Sequence, residues 1–199
     1  LHLCHHNLET IDTTSKTSTD TLLLEVCMAA KYEGASPQGY HGKHQQTNEG
    51  SQLCTELARS FADIGDIVRG KDLFYGNTQE KEKRKQLENN LKTIFKKIYK
   101  ELTNGELKAR YKKDPYYYQL REDWWNANRA KVWYAITCAA KVGDTYFRTT
   151  CSDGKNQSQA TKQCRCDDKP KSGKAGKAGG DGDVNVVPTY FDYVPQYLR

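Results

Sequence analysis

Residues 53–67 read Leu53-Cys54-Thr55-Glu56-Leu57-Ala58-Arg59-Ser60-Phe61-Ala62-Asp63-Ile64-Gly65-Asp66-Ile67. Leu53, Leu57, Ile64 and Val68 recur at steps of four, seven and four, which gives a helix with one buried stripe. Ser51 stands where such a helix opens and Gly70 where it ends. Gly65 lies inside it and costs about 1 kcal/mol of helix propensity relative to Ala. A close helix–helix contact would explain that glycine.

The same periodicity extends in both directions. Asp20 to Glu33 predicts a short helix, capped by Asp20, with Leu23, Val26, Cys27 and Ala30 near one face and Gly34 as its stop. Residues 34–50 are rich in Gly, Gln and His and read as a loop. Asn77 or Thr78 starts a long helix to about Leu102, with Leu87, Leu91, Ile94, Ile98 and Leu102 on one face. Asn104-Gly105 stops it. Asp114-Pro115 pairs a capping carboxylate with a first-turn proline, which predicts a helix from Tyr116 to about Ala140. Tyr117, Leu120, Trp124, Ala127, Tyr134 and Cys138 share one of its faces, and Trp125, Val132 and Ile136 widen it, so this helix should be central. Residues 144–166 form an irregular cysteine loop. Residues 167–183 are low-complexity Gly, Lys and Asp sequence and should be mobile. Thr189 to Arg199 is aromatic again and reads as the opening of a further helix. The whole is an all-α, disulfide-stapled bundle with long loops.

Seven cysteines, Cys4, Cys27, Cys54, Cys138, Cys151, Cys164 and Cys166, are dispersed without a CxxC pair. That spacing argues for disulfides in an oxidising compartment and against structural zinc. Their odd number predicts a cysteine whose partner lies outside the chain. Leu1-His2-Leu3-Cys4 has neither an initiator Met nor a signal peptide, so the chain reads as a fragment of a larger ectodomain. No run of about 18 apolar residues is present, so no direct membrane insertion is expected of this fragment. Only 36% of residues are apolar, but thirteen Tyr, three Trp and five Phe supply buriable surface, which a disordered chain would lack.

Catalytic and cofactor chemistry find no support. Among His2, His5, His6, His41 and His44, His41-x-x-His44 has a usable metal spacing but sits in a loop, and the remaining histidines near Cys4 read as exposed or packing side chains. GxSxG, Walker A, GxGxxG and HExxH sequences are absent, and Glu122-Asp123 point to different helix azimuths. The chain is therefore read as a non-enzyme with no cofactor. Asn156-Gln157-Ser158 is a sequon in a surface loop. One binding constellation stands out. Lys85, Lys92, Lys96 and Lys100 form a stripe opposite the apolar face of the long helix, and Lys108, Arg110, Lys112 and Lys113 follow it. With a net charge of +6, these suit an anionic glycan; the alternative is an ordinary solvated face. Nucleic acid does not fit a disulfide-rich extracellular chain.

The 53–67 segment resembles the signature helix of Duffy-binding-like domains, specifically the N-terminal alpha class of the erythrocyte membrane protein adhesins encoded by var genes in the malaria parasite Plasmodium falciparum. Trp124-Trp125, Asn128-Arg129, Val132-Trp133 and Ala135-Ile136-Thr137-Cys138 are similar to a second signature, and Asp192-Tyr193-Val194-Pro195-Gln196-Tyr197-Leu198-Arg199 to a third. Cys27-Met28-Ala29-Ala30-Lys31-Tyr32-Glu33-Gly34 and Leu3-Cys4-His5-His6-Asn7-Leu8 fit as well. The resemblance implies three parts: residues 1–50, the end of a first subdomain with its connection; 51–183, a helical second subdomain; and 184–199, the start of an incomplete third. It implies pairing of Cys54 with Cys138, and of Cys151 with Cys164 or Cys166. Four cysteines between the first and third signatures resemble the commoner four-cysteine subtype.

Function follows from the resemblance in the same way. It implies host-cell adhesion by an antigenically variable protein on the extracellular face of the infected red cell. Implied partners are a red-cell or endothelial receptor, a heparan sulfate-like or blood-group glycan, and host antibodies. Receptor choice is expected in the variable stretches 71–123 and 152–185. The alternative is a variable scaffold whose neighbouring cysteine-rich interdomain region does the binding.

Overall fold

The computed structural model describes residues 19–44, 53–73, 77–152, 157–166 and 187–199, with backbone only for 36–44 and 152. The expectations for His2, Cys4, His5, His6, Asn156 and the 167–183 loop lie outside these residues, as do those for the side chains of His41 and His44. Among the described residues five helices run in chain order: α1 Thr19–His44, α2 Leu53–Arg69, α3 Thr78–Glu101, α4 Gly105–Tyr111 and α5 Tyr118–Ile136. A two-residue antiparallel ladder follows, β1 Cys151–Ser152 against β2 Gln157–Ser158, with Cys151 opposite Ser158. Two 3-10 turns, Phe191–Tyr193 and Gln196–Leu198, end the chain. The mostly helical fold agrees with the sequence reading; several boundaries do not.

Helix α1 does not stop at Gly34 but continues to His44. Gly34 packs on the end of α5, where a Cβ would stand 1.9 Å from the Ile136 carbonyl oxygen. The glycine serves close approach, not termination. Leu22, Val26, Ala29, Ala30 and Glu33 form the buried face, and Ser60 of α2 donates its hydroxyl hydrogen bond to Glu33 at 2.9 Å. Gly65 plays a similar part, since a Cβ there would meet the Trp125 ring at 2.8 Å.

Helix α5 begins at Tyr118, two residues later than its proline predicts. Asp114 accepts hydrogen bonds from the Tyr116 and Gln119 amides, while Tyr117 takes a left-handed conformation at φ 58° and breaks the first turn. The helix ends at Ile136, where Arg165 covers its last turn. The Arg165 guanidinium donates to the Tyr134 carbonyl and the Thr137 hydroxyl, and lies 4.5 Å from the Tyr134 ring centroid. Ala127 and Cys138, expected on the inner face, are exposed. Its inner side instead carries Leu120, Trp124, Trp125, Arg129, Val132, Trp133 and Ile136. Phe61 of α2 sits at the centre, 5.1 Å from both Trp125 and Trp133.

The C-terminal stretch is no helix. It is a strap held by buried charge. Asp192 is 1% exposed; its carboxylate accepts two hydrogen bonds from Arg129 at 2.8 Å and one from the Trp125 indole at 2.9 Å. Arg69 donates to the Asp192 carbonyl and to Asp66 and Glu122. Arg199 reaches back to Asp63 and Asp66. Burial pushes both of those carboxyls up, and Arg199 offsets it in part.

The disulfides correct the expected pairing. Cys54 bonds Cys164, not Cys138, and Cys151 bonds Cys166. The Trp133 indole donates to the Cys164 carbonyl at 3.1 Å and so brings that cysteine to α2. Cys138 lies beyond the end of α5 and faces solvent, Cys27 is half-buried, and neither pairs with a cysteine among the described residues. Burial raises the Cys27 thiol, and the charge of Lys131 offsets part of that.

These contacts set three expectations for denaturant unfolding. The double change Cys54→Ser/Cys164→Ser, which opens a crosslink of sequence separation 110, should lower stability by about 4–5 kcal/mol on the loop-entropy account, whereas Cys138→Ser should change it by no more than about 0.5 kcal/mol; a large loss in the single variant would restore Cys138 as a disulfide partner. Arg129→Met strands a buried carboxylate and should cost about 3–5 kcal/mol. Gly34→Ala should cost about 3 kcal/mol by forcing α1 from α5, and an unchanged midpoint would contradict the close packing.

Candidate functional site

Helix α3 forms as its sequence dictates. Asn77 and Glu80 make a reciprocal capping box, side chain to backbone, at 2.9 and 3.0 Å. Leu87, Leu91, Ile94, Phe95 and Ile98 turn inward, and Phe95 meets Trp124 edge-on at 6.1 Å. Leu102, expected on this face, is half-buried at the cap. Arg121 of α5 locks the helix in place. It is fully buried, donates to the Ile67 and Val68 carbonyls at the end of α2, and grips Glu88 of α3 at 2.6 and 2.9 Å. Gly70, at φ 71°, closes α2 beside this guanidinium.

The outward side is basic. Residues 78–113 hold twelve Lys and Arg against five Asp and Glu, so this segment, α3, α4 and the two lysines after α4, carries a net charge of +7 while the whole chain carries +6. Lys85, Lys96 and Lys100 are exposed. Lys92 is half-buried, with its Nζ 4.2 Å from the Tyr116 ring centroid. In the second group, Lys112 and Lys113 are exposed, and Lys108 is half-buried. Arg110 is already engaged: it pairs with Asp123 at 3.1 Å and lies over the Tyr111 ring. Tyr111 also donates its hydroxyl hydrogen bond to Asp123 at 2.6 Å; burial and then that carboxylate hold its phenol up. Among the described residues, seven of the eight cations make no ion pair with a carboxylate, and Arg110 is committed to Asp123.

Sequence reasoning missed Tyr116 and Tyr118. The run Tyr116-Tyr117-Tyr118 directly after Lys112-Lys113 was the available signal. Tyr116 and Tyr118 are each 46% exposed and stack at 5.5 Å. A concavity of about 400 Å³ lies between the end of α2 and the strap and is lined by Asp66, Arg69, Lys71, Leu73, Asp192 and Tyr193 among others. Its charges answer one another: Lys71 and Arg69 both hold Glu122. Burial would raise the Glu122 carboxyl, but the hydrogen bonds and charges of Lys71 and Arg69 outweigh it and leave it below the usual value.

No curated protein sequence matches this chain. Solved structures do. The NTS-DBL1-alpha and CIDR-gamma double domain of PfEMP1 from the Plasmodium falciparum varO strain is 35% identical, with a TM-score of 0.74 over 99% of this chain and 25% of that one. The NTS-DBL1(alpha-1) domain of the same strain is also 35% identical, with a TM-score of 0.73 over 99% of this chain and 40% of that one. The ICAM-1-binding DBLbeta domain of PfEMP1 IT4var13 is 32% identical, with a TM-score of 0.62 over 100% of this chain and 39% of that one. The chain therefore spans between a quarter and two-fifths of these relatives. The family model described as Duffy binding domain matches residues 1–199, every signature segment included. A helical core held by α2 and α5, a strap clamped at Asp192 and a match along the full length lead to one assignment: the chain belongs to the Duffy binding domain family.

Proposed function

We propose that this chain is part of a host-cell adhesion domain displayed on the extracellular face of the infected red cell, where it binds host surface receptors or glycans in rosetting or cytoadherence. Among the described residues no helix is long and apolar enough to cross a membrane. A PfEMP1 relative of the same family is described as ICAM-1-binding, which supports receptor binding as the class of activity. The observation that carries the glycan reading is the concentration of charge: residues 78–113 hold a net charge of +7, more than the +6 of the whole chain. Lys85, Lys92, Lys96, Lys100, Lys108, Lys112 and Lys113 form the proposed contact set, with Arg110 supporting the fold through Asp123. Ammonium groups on a solvated face attract a sulfated chain through screened charge, so binding weakens as salt rises.

A second reading has one observation in its favour, the CIDR-gamma domain beside the relative's DBL1-alpha domain. Under it, this domain is an antigenically variable scaffold and the cysteine-rich neighbour binds the receptor.

Heparin chromatography separates the readings. Charge reversal at Lys85, Lys92, Lys96 and Lys100 should reduce heparin affinity by about tenfold or more near physiological salt. Retention that survives the reversal, or host-cell binding indifferent to salt and to soluble heparin, would overturn the glycan reading. Absence of binding by the complete domain to red cells and endothelial cells would favour the scaffold.

A further inference from the structure

The lysines of α3 are not equivalent. Among the described residues, Lys92 is the one of the four that rests on an aromatic ring, with its Nζ 4.2 Å from the Tyr116 centroid. Tyr116 lies nearly parallel to Tyr118, at 5.5 Å and 17°. Beyond Tyr118 stands the buried Arg121 guanidinium, 5.7 Å from its centroid. The segment that carries Tyr116 is fastened to α3 at a second point. The Tyr99 ring meets Tyr117 at 5.7 Å, and the Tyr99 hydroxyl donates to the Lys108 carbonyl at 3.2 Å. Lys96 is one helical turn from Lys92, and Lys112 and Lys113 precede Tyr116 by four and three residues; all three are exposed. The stripe is therefore joined to the second basic group at Tyr116, by the Lys92 contact on one side and by three residues of chain from Lys113 on the other.

Charge alone gives no use for a half-exposed tyrosine pair at that meeting point. A sugar does: the C–H face of a pyranose packs on an aromatic ring, while its sulfate or carboxylate takes an ammonium group. The geometry points to an anionic-saccharide subsite centred on Tyr116, in which Lys92 swings from the ring to the sugar's anionic group and the uncovered ring receives the sugar's C–H face. This rests on the glycan reading above and narrows it from a stripe along α3 to one locus. The exchange is favourable because an ammonium over an exposed ring is weakly held, whereas charge-assisted hydrogen bonds are roughly twice as strong as neutral ones. Arg121 and Tyr118 keep the platform in position while Lys92 moves. Lys85 and Lys100 lie two helical turns from Lys92, about 10 Å along the axis, and act as outer charges only.

Two probes test the subsite on the full chain. A heparin-derived tetrasaccharide offers charge and sugar rings; inorganic polyphosphate offers charge alone. By titration calorimetry, Tyr116→Ala should weaken the tetrasaccharide about fivefold, the size of one aromatic contact, and leave polyphosphate within about twofold. Tyr116→Phe should bind both like the parent, since the ring face and not the hydroxyl is used. Lys96→Glu should weaken both probes. Equal losses for both probes in Tyr116→Ala, or no loss for either, would overturn the subsite while leaving the glycan reading intact. Failure of the parent chain to bind the tetrasaccharide would remove both.

Discussion

Asp192 is a carboxylate removed from water, and the architecture depends on its being answered. An unpaired buried charge would cost several kcal/mol. Here two parallel hydrogen bonds from Arg129 and one from the Trp125 indole satisfy it. Those donors stand one helical turn apart on α5, so the single carboxylate fixes both the rotation of α5 and the path of the strap. Arg69 adds α2 to the same knot through the Asp192 carbonyl. The aromatic centre around Phe61 is assembled from the same two helices and inherits their register.

Arginine and lysine divide the work. Arg69, Arg121, Arg129 and Arg165 face inward or lie half-covered, where a planar fork can meet carbonyls and carboxylates together. Arg121 covers the end of α2 through the Ile67 and Val68 carbonyls, and Arg165 the end of α5 through the Tyr134 carbonyl. Lysines, compact and strongly hydrated, line the outer side of α3 instead. The result is a rigid interior and a surface charge that can change without disturbing it.

The two disulfides secure what the helices do not. Cys54–Cys164 ties the start of α2 to the irregular region after β2, and Cys151–Cys166 closes that region on itself. Trp133 supports the first link by holding the Cys164 carbonyl. Cys138 stays at the surface, although it belongs to a signature segment.

The helical class, α2 from its stripe, α3 from its capping box and inward row, and the basic side of α3 were all legible in the sequence, because each depends on residues within a few turns of one another. The family was legible too, since the signature segments are long. The pairing of Cys54 was not, because it depends on where Trp133 holds a loop about thirty residues away. Gly34 read as a stop because a sequence shows the cost of glycine but not the helix end pressed against it. The strap read as a helix because its anchors, Arg129 and Trp125, lie more than sixty residues upstream. Tyr116 gained meaning only when its ring was found beneath Lys92. The sequence by itself determined the local elements and their charge; tertiary packing decided which cysteines pair, which glycines mark contacts and where the basic groups converge, since those outcomes depend on distances between residues remote along the chain.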